Sequence, residues 1–225
     1  MIKIKQVKFL LILLLSFKIF NWQNIYANNY VYDKHLTGYQ YFDKVQKFKF
    51  ASQGINLEMV YMYLPSNNKQ KGTVTLFHGK NFTSNYWKEI ALKLNSSGYA
   101  VLIPDQIGFG KSSKPLNYQY TFETLALNTK NLLDSLNISS MQLIAHSMGG
   151  MLASRFSLMY EDIITNLILI NPIGLENYLE YVEYKDINFF YNKELQLKPE
   201  NIINYQKKNY YDGQWNKKYI VSLLI

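Results

Sequence analysis

The chain has 225 residues, 48% of them hydrophobic and 18% charged, which is enough for one domain with a real core and too apolar for a disordered chain. It has no cysteine, which excludes a disulfide framework, a thiolate metal site and a cysteine nucleophile. The formal net charge is +8, but Lys3, Lys5, Lys8 and Lys18 carry four of those charges, the other lysines are scattered, and no basic stripe points to a nucleic-acid partner.

Met1 to Lys8 is basic, and Phe9 to Phe17 is an uncharged apolar run closed by Lys18. A membrane-spanning helix needs about 20 apolar residues. This start therefore reads as a signal peptide over residues 1–27, cleaved after Ala27, with an uncleaved N-terminal anchor as the alternative. Either places the rest of the protein outside the cytoplasm, secreted or periplasmic, with no stable membrane span once the signal is removed.

Val45 to Ala51 and Leu57 to Leu64 alternate apolar and polar residues around Gly54, the pattern of an antiparallel hairpin. Pro65 to Gly72 is a polar loop. Thr73 to Phe77 is a short apolar strand of the kind buried on both faces, and it runs into His78-Gly79-Lys80. Trp87, Ile90, Ala91 and Leu94 follow at helical spacing, with Thr83 or Ser84 as cap and Gly98 as stop. Tyr99 to Pro104 is the next buried strand, ending in Asp105-Gln106-Ile107-Gly108-Phe109-Gly110-Lys111-Ser112. Thr121 caps a long helix whose inner face is Phe122, Leu125, Thr129, Leu132, Leu133 and Leu136.

Met141 to His146 is a further apolar strand, and Ser147-Met148-Gly149-Gly150 opens a helix with Met148, Met151, Leu152, Arg155, Phe156 and Met159 on helical spacing. A serine between strand and helix, with Ala145 two before it and Gly149 two after, fits a nucleophile elbow. It fits a plain serine helix cap as well. Leu167 to Ile170 is one more buried strand. Strands alternating with helices through short connections imply a parallel sheet with helices on both faces, and such sheets bind ligands at the carboxyl ends of their strands. Three of those ends carry candidate chemistry: His78-Gly79-Lys80, Asp105 to Ser112, and Ser147-Met148.

Over roughly Gln46 to Gly174 these three motifs, in this order, resemble the α/β-hydrolase superfamily: His78-Gly79, the D-x-x-G-x-G-x-S of Asp105 to Ser112, and the H-S-M-G-G of His146 to Gly150. The resemblance implies an α/β fold, with a mostly parallel, doubly wound sheet, an N-terminal antiparallel hairpin and a helical cap. It implies Ser147 as catalytic nucleophile on a small-molecule acyl substrate, with the backbone amides of Met148 and Lys80 as oxyanion hole. His78, Gly79, Asp105, Gly108, Gly110, His146 and Gly149 are then structural residues near the site. Residues 28–174 form the core and 175–225 the cap, whose many tyrosines either line an acyl pocket or fasten the cap to the core. No cofactor or metal motif is present, and Gly108-Phe109-Gly110 lacks the third glycine of a dinucleotide fingerprint.

The family order is serine, then acid, then histidine. The three histidines here are His35, His78 and His146, and none follows Ser147. The expectation is therefore a C-terminally truncated serine hydrolase, esterase- or lipase-like, whose last strand–helix units are missing, which is inactive as it stands and in which Leu167 to Ile170 becomes a bare apolar edge strand. The alternative is a non-catalytic or vestigial binding protein. Haloperoxidases, C–C hydrolases and acyltransferases share the scaffold, whereas the aspartate nucleophile of dehalogenases and epoxide hydrolases does not match Ser147.

Overall fold

A computed structural model describes residues 32–66, 71–196 and 198–209. The expected signal segment at 1–27, and Tyr210, Tyr211, Trp215 and Tyr219 of the expected cap, lie outside the described residues. Six strands form one sheet in the order β1-β2-β4-β3-β5-β6, with β1 Val45–Ser52, β2 Ile55–Leu64, β3 Thr73–Phe77, β4 Ala100–Pro104, β5 Met141–His146 and β6 Ile164–Ile170. β1 pairs antiparallel with β2, and β2 with β4; β4, β3, β5 and β6 run parallel. The hairpin turn is Gln53-Gly54 at φ 52° and 74°, the doubly positive geometry that matches the twist of the strands it joins.

The inner parallel strands β4, β3 and β5 are buried on both faces because helices cover both. Alternate residues divide between two cores, as the period of two in a strand requires. Phe77, Leu143 and Ala145 face one core, together with Leu125, Leu132, Leu133, Leu152 and Phe156 of helices α2 (Phe122–Ser135) and α3 (Met148–Met159). Leu76 and Ile144 face the other, with Trp87 and with Ala91 of α1 (Lys88–Ser96). Burying a side chain such as Phe156 completely stabilises the fold by about 1.5–3 kcal/mol.

Three helical readings shift in detail. Thr83 caps a 3₁₀ turn, Ser84–Trp87, not the α-helix itself. The tighter turn changes the phase of the pattern, so Trp87 and Ala91 point inward while Ile90 is 40% exposed. On α2, Phe122 and Leu136 lie at the fringe of the core, and Ala126 and Asn128 are buried in addition to the expected residues. On α3 the buried face is Gly149, Gly150, Leu152, Ala153 and Phe156; Met159 lies outside it, and Arg155 pairs with Glu123 of α2 at 3.2 Å.

β6 departs from the reading of a covered strand and matches that of a bare edge. Leu167 to Ile170 belongs to a longer strand, but it is not buried: Leu167 is 39% and Ile168 46% exposed. Among the described residues β6 pairs only with β5; Ile164 and Leu169 pack against one core and Ile170 against the other. An apolar edge of this kind is a template for pairing with other chains.

Beyond β6 lie α4 (Ile187–Leu195) and α5 (Pro199–Asn209). Asp186 caps α4 by accepting from the Phe189 amide at 2.9 Å. Tyr178, Tyr181, Tyr184, Phe189, Phe190, Tyr191 and Tyr205 are all exposed. The Glu194 carboxylate of α4 does pair with the Lys80 ammonium in the loop after β3. Among the described residues no helix is long and apolar enough to cross a membrane, and no cluster of potential metal ligands is present.

Candidate active site

Ser147 stands between β5 and α3 at φ 56°, ψ −121°. A non-glycine residue in such a region costs on the order of 1–3 kcal/mol and persists only where its surroundings fix it. They do so here through the main chain. The Ser147 N–H donates to the Ile170 carbonyl at 3.2 Å, and its carbonyl accepts from the amides of Gly150 at 2.8 Å and Ile173 at 3.4 Å. The side chain makes no capping hydrogen bond, which removes the helix-cap reading. The residue is half-buried at the carboxyl end of β5.

Two glycines allow the crowding around it. A Cβ on Gly79 would lie 3.0 Å from Ser147 Cβ and 3.3 Å from His146 Nδ1. A Cβ on Gly149 would lie 2.5 Å from the Phe77 carbonyl oxygen and 2.6 Å from that of His78. The loop after β3 and the start of α3 thus touch backbone to backbone, which brings His78-Gly79-Lys80 and Ser147-Met148-Gly149 together.

His78 is fully buried and its ring has defined polarity. The Gln106 amide donates to Nε2 at 3.1 Å, so the proton sits on Nδ1, which donates to the Gly79 carbonyl at 2.9 Å. The Phe82 amide donates to the same carbonyl at 3.3 Å. Among the described residues every peptide bond is trans, so the Lys80 N–H points away from the pinned Gly79 oxygen. Neither the Lys80 nor the Met148 amide has a hydrogen-bond partner among the described residues. Met148 is the first residue of α3, where a helix leaves its amides unpaired and its dipole favours negative charge.

His146 points under the elbow. Its ring stacks on Tyr86 at 5.5 Å and meets Phe82 edge-on at 5.6 Å, and its Nδ1 is buried without a partner. Burial holds both imidazoles below their ordinary pKa of 6.5: for His78 against the attraction of Asp105, and for His146 reinforced by His78. When pH falls below 6.5 the unfolded chain takes up protons that the native one refuses, so stability present above 6.5 is lost as acid is added. The urea midpoint should therefore drop between neutral pH and about pH 5. An unchanged midpoint would place these rings in water.

Asp105 follows β4 and is fully buried. Its Oδ1 accepts from the Ser84 amide at 2.6 Å, and its Oδ2 from the Tyr41 hydroxyl at 2.6 Å and the Lys111 amide at 2.8 Å. Gly110, at φ 52°, leaves room for this carboxylate, which a Cβ there would meet at 2.2 Å; Gly108 stands against the Tyr120 ring. The Ser112 hydroxyl bridges the turn to β2, donating to the Asp105 carbonyl at 2.7 Å and accepting from the Val60 amide at 2.8 Å.

Some of this network left no mark in the motifs. Tyr41 carried no signal, and Ser84 only that of a helix cap. Gln106 carried one: its side chain meets Thr129 Oγ1 at 3.2 Å, and Thr129 is a polar residue on an otherwise apolar helix face. No histidine or carboxylate reaches Ser147 Oγ among the described residues, and His35 lies exposed before β1.

This fold and elbow define a class. Residues 72–192 match the family model for the alpha/beta hydrolase fold, and the chain belongs to that family. A probable hydrolytic enzyme of Pseudomonas aeruginosa superposes with a TM-score of 0.82 at 39% identity, over 86% of this chain and 62% of that one. RutD of Pantoea ananatis, named as a carbamate hydrolase, is 31% identical over 113 residues, 50% of this chain and 41% of its own. Human epoxide hydrolase 4 is 30% identical over 125 residues, 54% of this chain and 34% of its own. The match thus spans less than half the length of these two curated relatives.

Proposed function

We propose that the chain carries the nucleophile and oxyanion site of a serine hydrolase for carboxylic esters or related acyl compounds. The observation that carries this reading is the strained φ of Ser147, which a helix cap does not need and a presented nucleophile does. Ser147 Oγ attacks the acyl carbonyl, the oxygen takes up the electron pair between the Met148 and Lys80 amides, and the leaving group departs with a proton. Water then hydrolyses the acyl-serine. His78, Gly79, Asp105, Gly108, Gly110, His146 and Gly149 shape the site without touching substrate. No cofactor is needed for this chemistry. Relatives named for carbamate and epoxide hydrolysis fit a common scaffold and leave the substrate open. The basic and apolar start of residues 1–27 supports export.

A serine hydroxyl needs a base to remove its proton, and none of the three histidines is bonded to it. The 225 residues alone should hydrolyse p-nitrophenyl acetate no faster than Ser147→Ala. Serine-dependent turnover would reveal a base among these residues. A thiolate needs no such partner, so Ser147→Cys at mildly alkaline pH should acylate once per chain, at least about tenfold faster than free cysteine, given that each oxyanion donor contributes on the order of 10²-fold or more. Acylation at the rate of free cysteine would remove the oxyanion hole and leave a binding protein, the reading that the unpartnered Ser147 hydroxyl otherwise favours.

A further inference from the structure

The segment before β1 lies outside the residues that match the family, yet it is tied to the turn that follows the Lys80 loop. Leu36 is buried at φ 53°, and local bonds shape the segment: the Asp33 carboxylate accepts from the amides of His35 and Thr37 and from the Thr37 hydroxyl. The Lys111 ammonium donates to the Leu36 carbonyl at 2.8 Å.

From this base the segment reaches the Ser84–Trp87 turn at two points. The Phe42 amide donates to Asn85 Oδ1 at 2.7 Å, and Asn85 Nδ2 donates to the Tyr39 hydroxyl at 2.9 Å. The Tyr41 hydroxyl donates to the carboxylate of Asp105, which also accepts from the Ser84 amide. Lys111 closes the arrangement, its ammonium 5.3 Å from the centre of the Tyr41 ring. Both contact points sit immediately after the Gly79–Phe82 loop, whose carbonyl orientation directs the Lys80 amide.

We propose that residues 32–42 form a clasp that positions the oxyanion loop, with Tyr41 and Tyr39 as positioning residues acting through Asp105–Ser84 and Asn85. The role assigned to Lys80 rests on the hydrolase reading above; the clasp itself does not. The loop has few constraints of its own. Gly79 is a glycine, Asn81 stands at φ 66°, and the Lys80 and Asn81 side chains are exposed. The Gly79 carbonyl is held by His78 Nδ1 and by the Phe82 amide within the same loop, so the far end of the loop after Phe82 must also be fixed for the Lys80 amide to keep its direction. The strong upward displacement of the Tyr41 pKa, caused by burial and then by the Asp105 charge, keeps its hydroxyl a donor.

The test joins amide hydrogen exchange with acylation in the Ser147→Cys background. Tyr41→Phe keeps the ring and deletes one donor to a carboxylate. The Ser84 and Phe82 amides should then exchange about tenfold faster, with exchange in β3 and β5 unchanged, and acylation should slow by a similar factor. Tyr39→Phe should act the same way more weakly, and it serves if Tyr41→Phe does not fold. Unchanged exchange at Ser84 and Phe82 in a folded variant would overturn the clasp. Faster exchange with unchanged acylation would overturn its positioning role. If Ser147→Cys itself fails to acylate, the hydrolase reading falls while exchange still reports on the clasp.

Discussion

Gly149→Ala is expected to destabilise the protein by about 3 kcal/mol, although alanine normally favours a helix over glycine by about 1 kcal/mol. The added methyl would lie 2.5 and 2.6 Å from two consecutive backbone carbonyl oxygens at the end of β3. Neither oxygen belongs to a side chain that can rotate away. Helix α3 must lift from the sheet or β3 must shift along it, and either moves the Met148 amide relative to Ser147. The urea midpoint measured by far-UV circular dichroism should fall, and the same substitution in Ser147→Cys should lose acylation. A stabilised variant would show that α3 and β3 are not in contact at this point.

Asp105→Ala is expected to cost about 3 kcal/mol or more, because it leaves the Ser84 amide, the Lys111 amide and the Tyr41 hydroxyl without their acceptor, each at about 1–3 kcal/mol and not additively. Asp105→Asn keeps the shape but turns a donor toward at least one of those donors, so it should rescue only part of the loss. Thermal or urea unfolding of both variants checks the order. Equal stability of Asp105→Asn and the parent would mean that the carboxylate is not what the three donors need.

The sequence was most legible where a single period governs the residues. β3 and β5 appear with the boundaries their apolar runs suggest, and α2 begins at the Thr121 cap. The elbow was legible because strand, serine and glycine are consecutive. Ile90 was misplaced because a 3₁₀ turn precedes its helix, and a pattern read at 3.6 residues per turn does not carry across it. The exposure of Leu167 and Ile168 follows from the motif order and not from their composition, because a strand's composition states what it would bury, not whether a neighbour covers it. Tyr41 was invisible because its partner Asp105 is 64 residues away and no local pattern links them.

The placement of β3 has a kinetic consequence. It is an inner strand flanked by β4 and β5, so Val74 meets its partners only when Val101 and Gln142 have been synthesised. Closing such distant pairs is the slow part of folding. Gly79 reaches Ser147 through the same β3–β5 pairing, so assembly of the site coincides with closure of the sheet's centre. A growing or half-folded chain can hold the hairpin and separate helices, but not the elbow packed against the Gly79 loop. Substitutions that weaken the β3–β5 pairing should therefore delay the appearance of the site as much as they delay the fold.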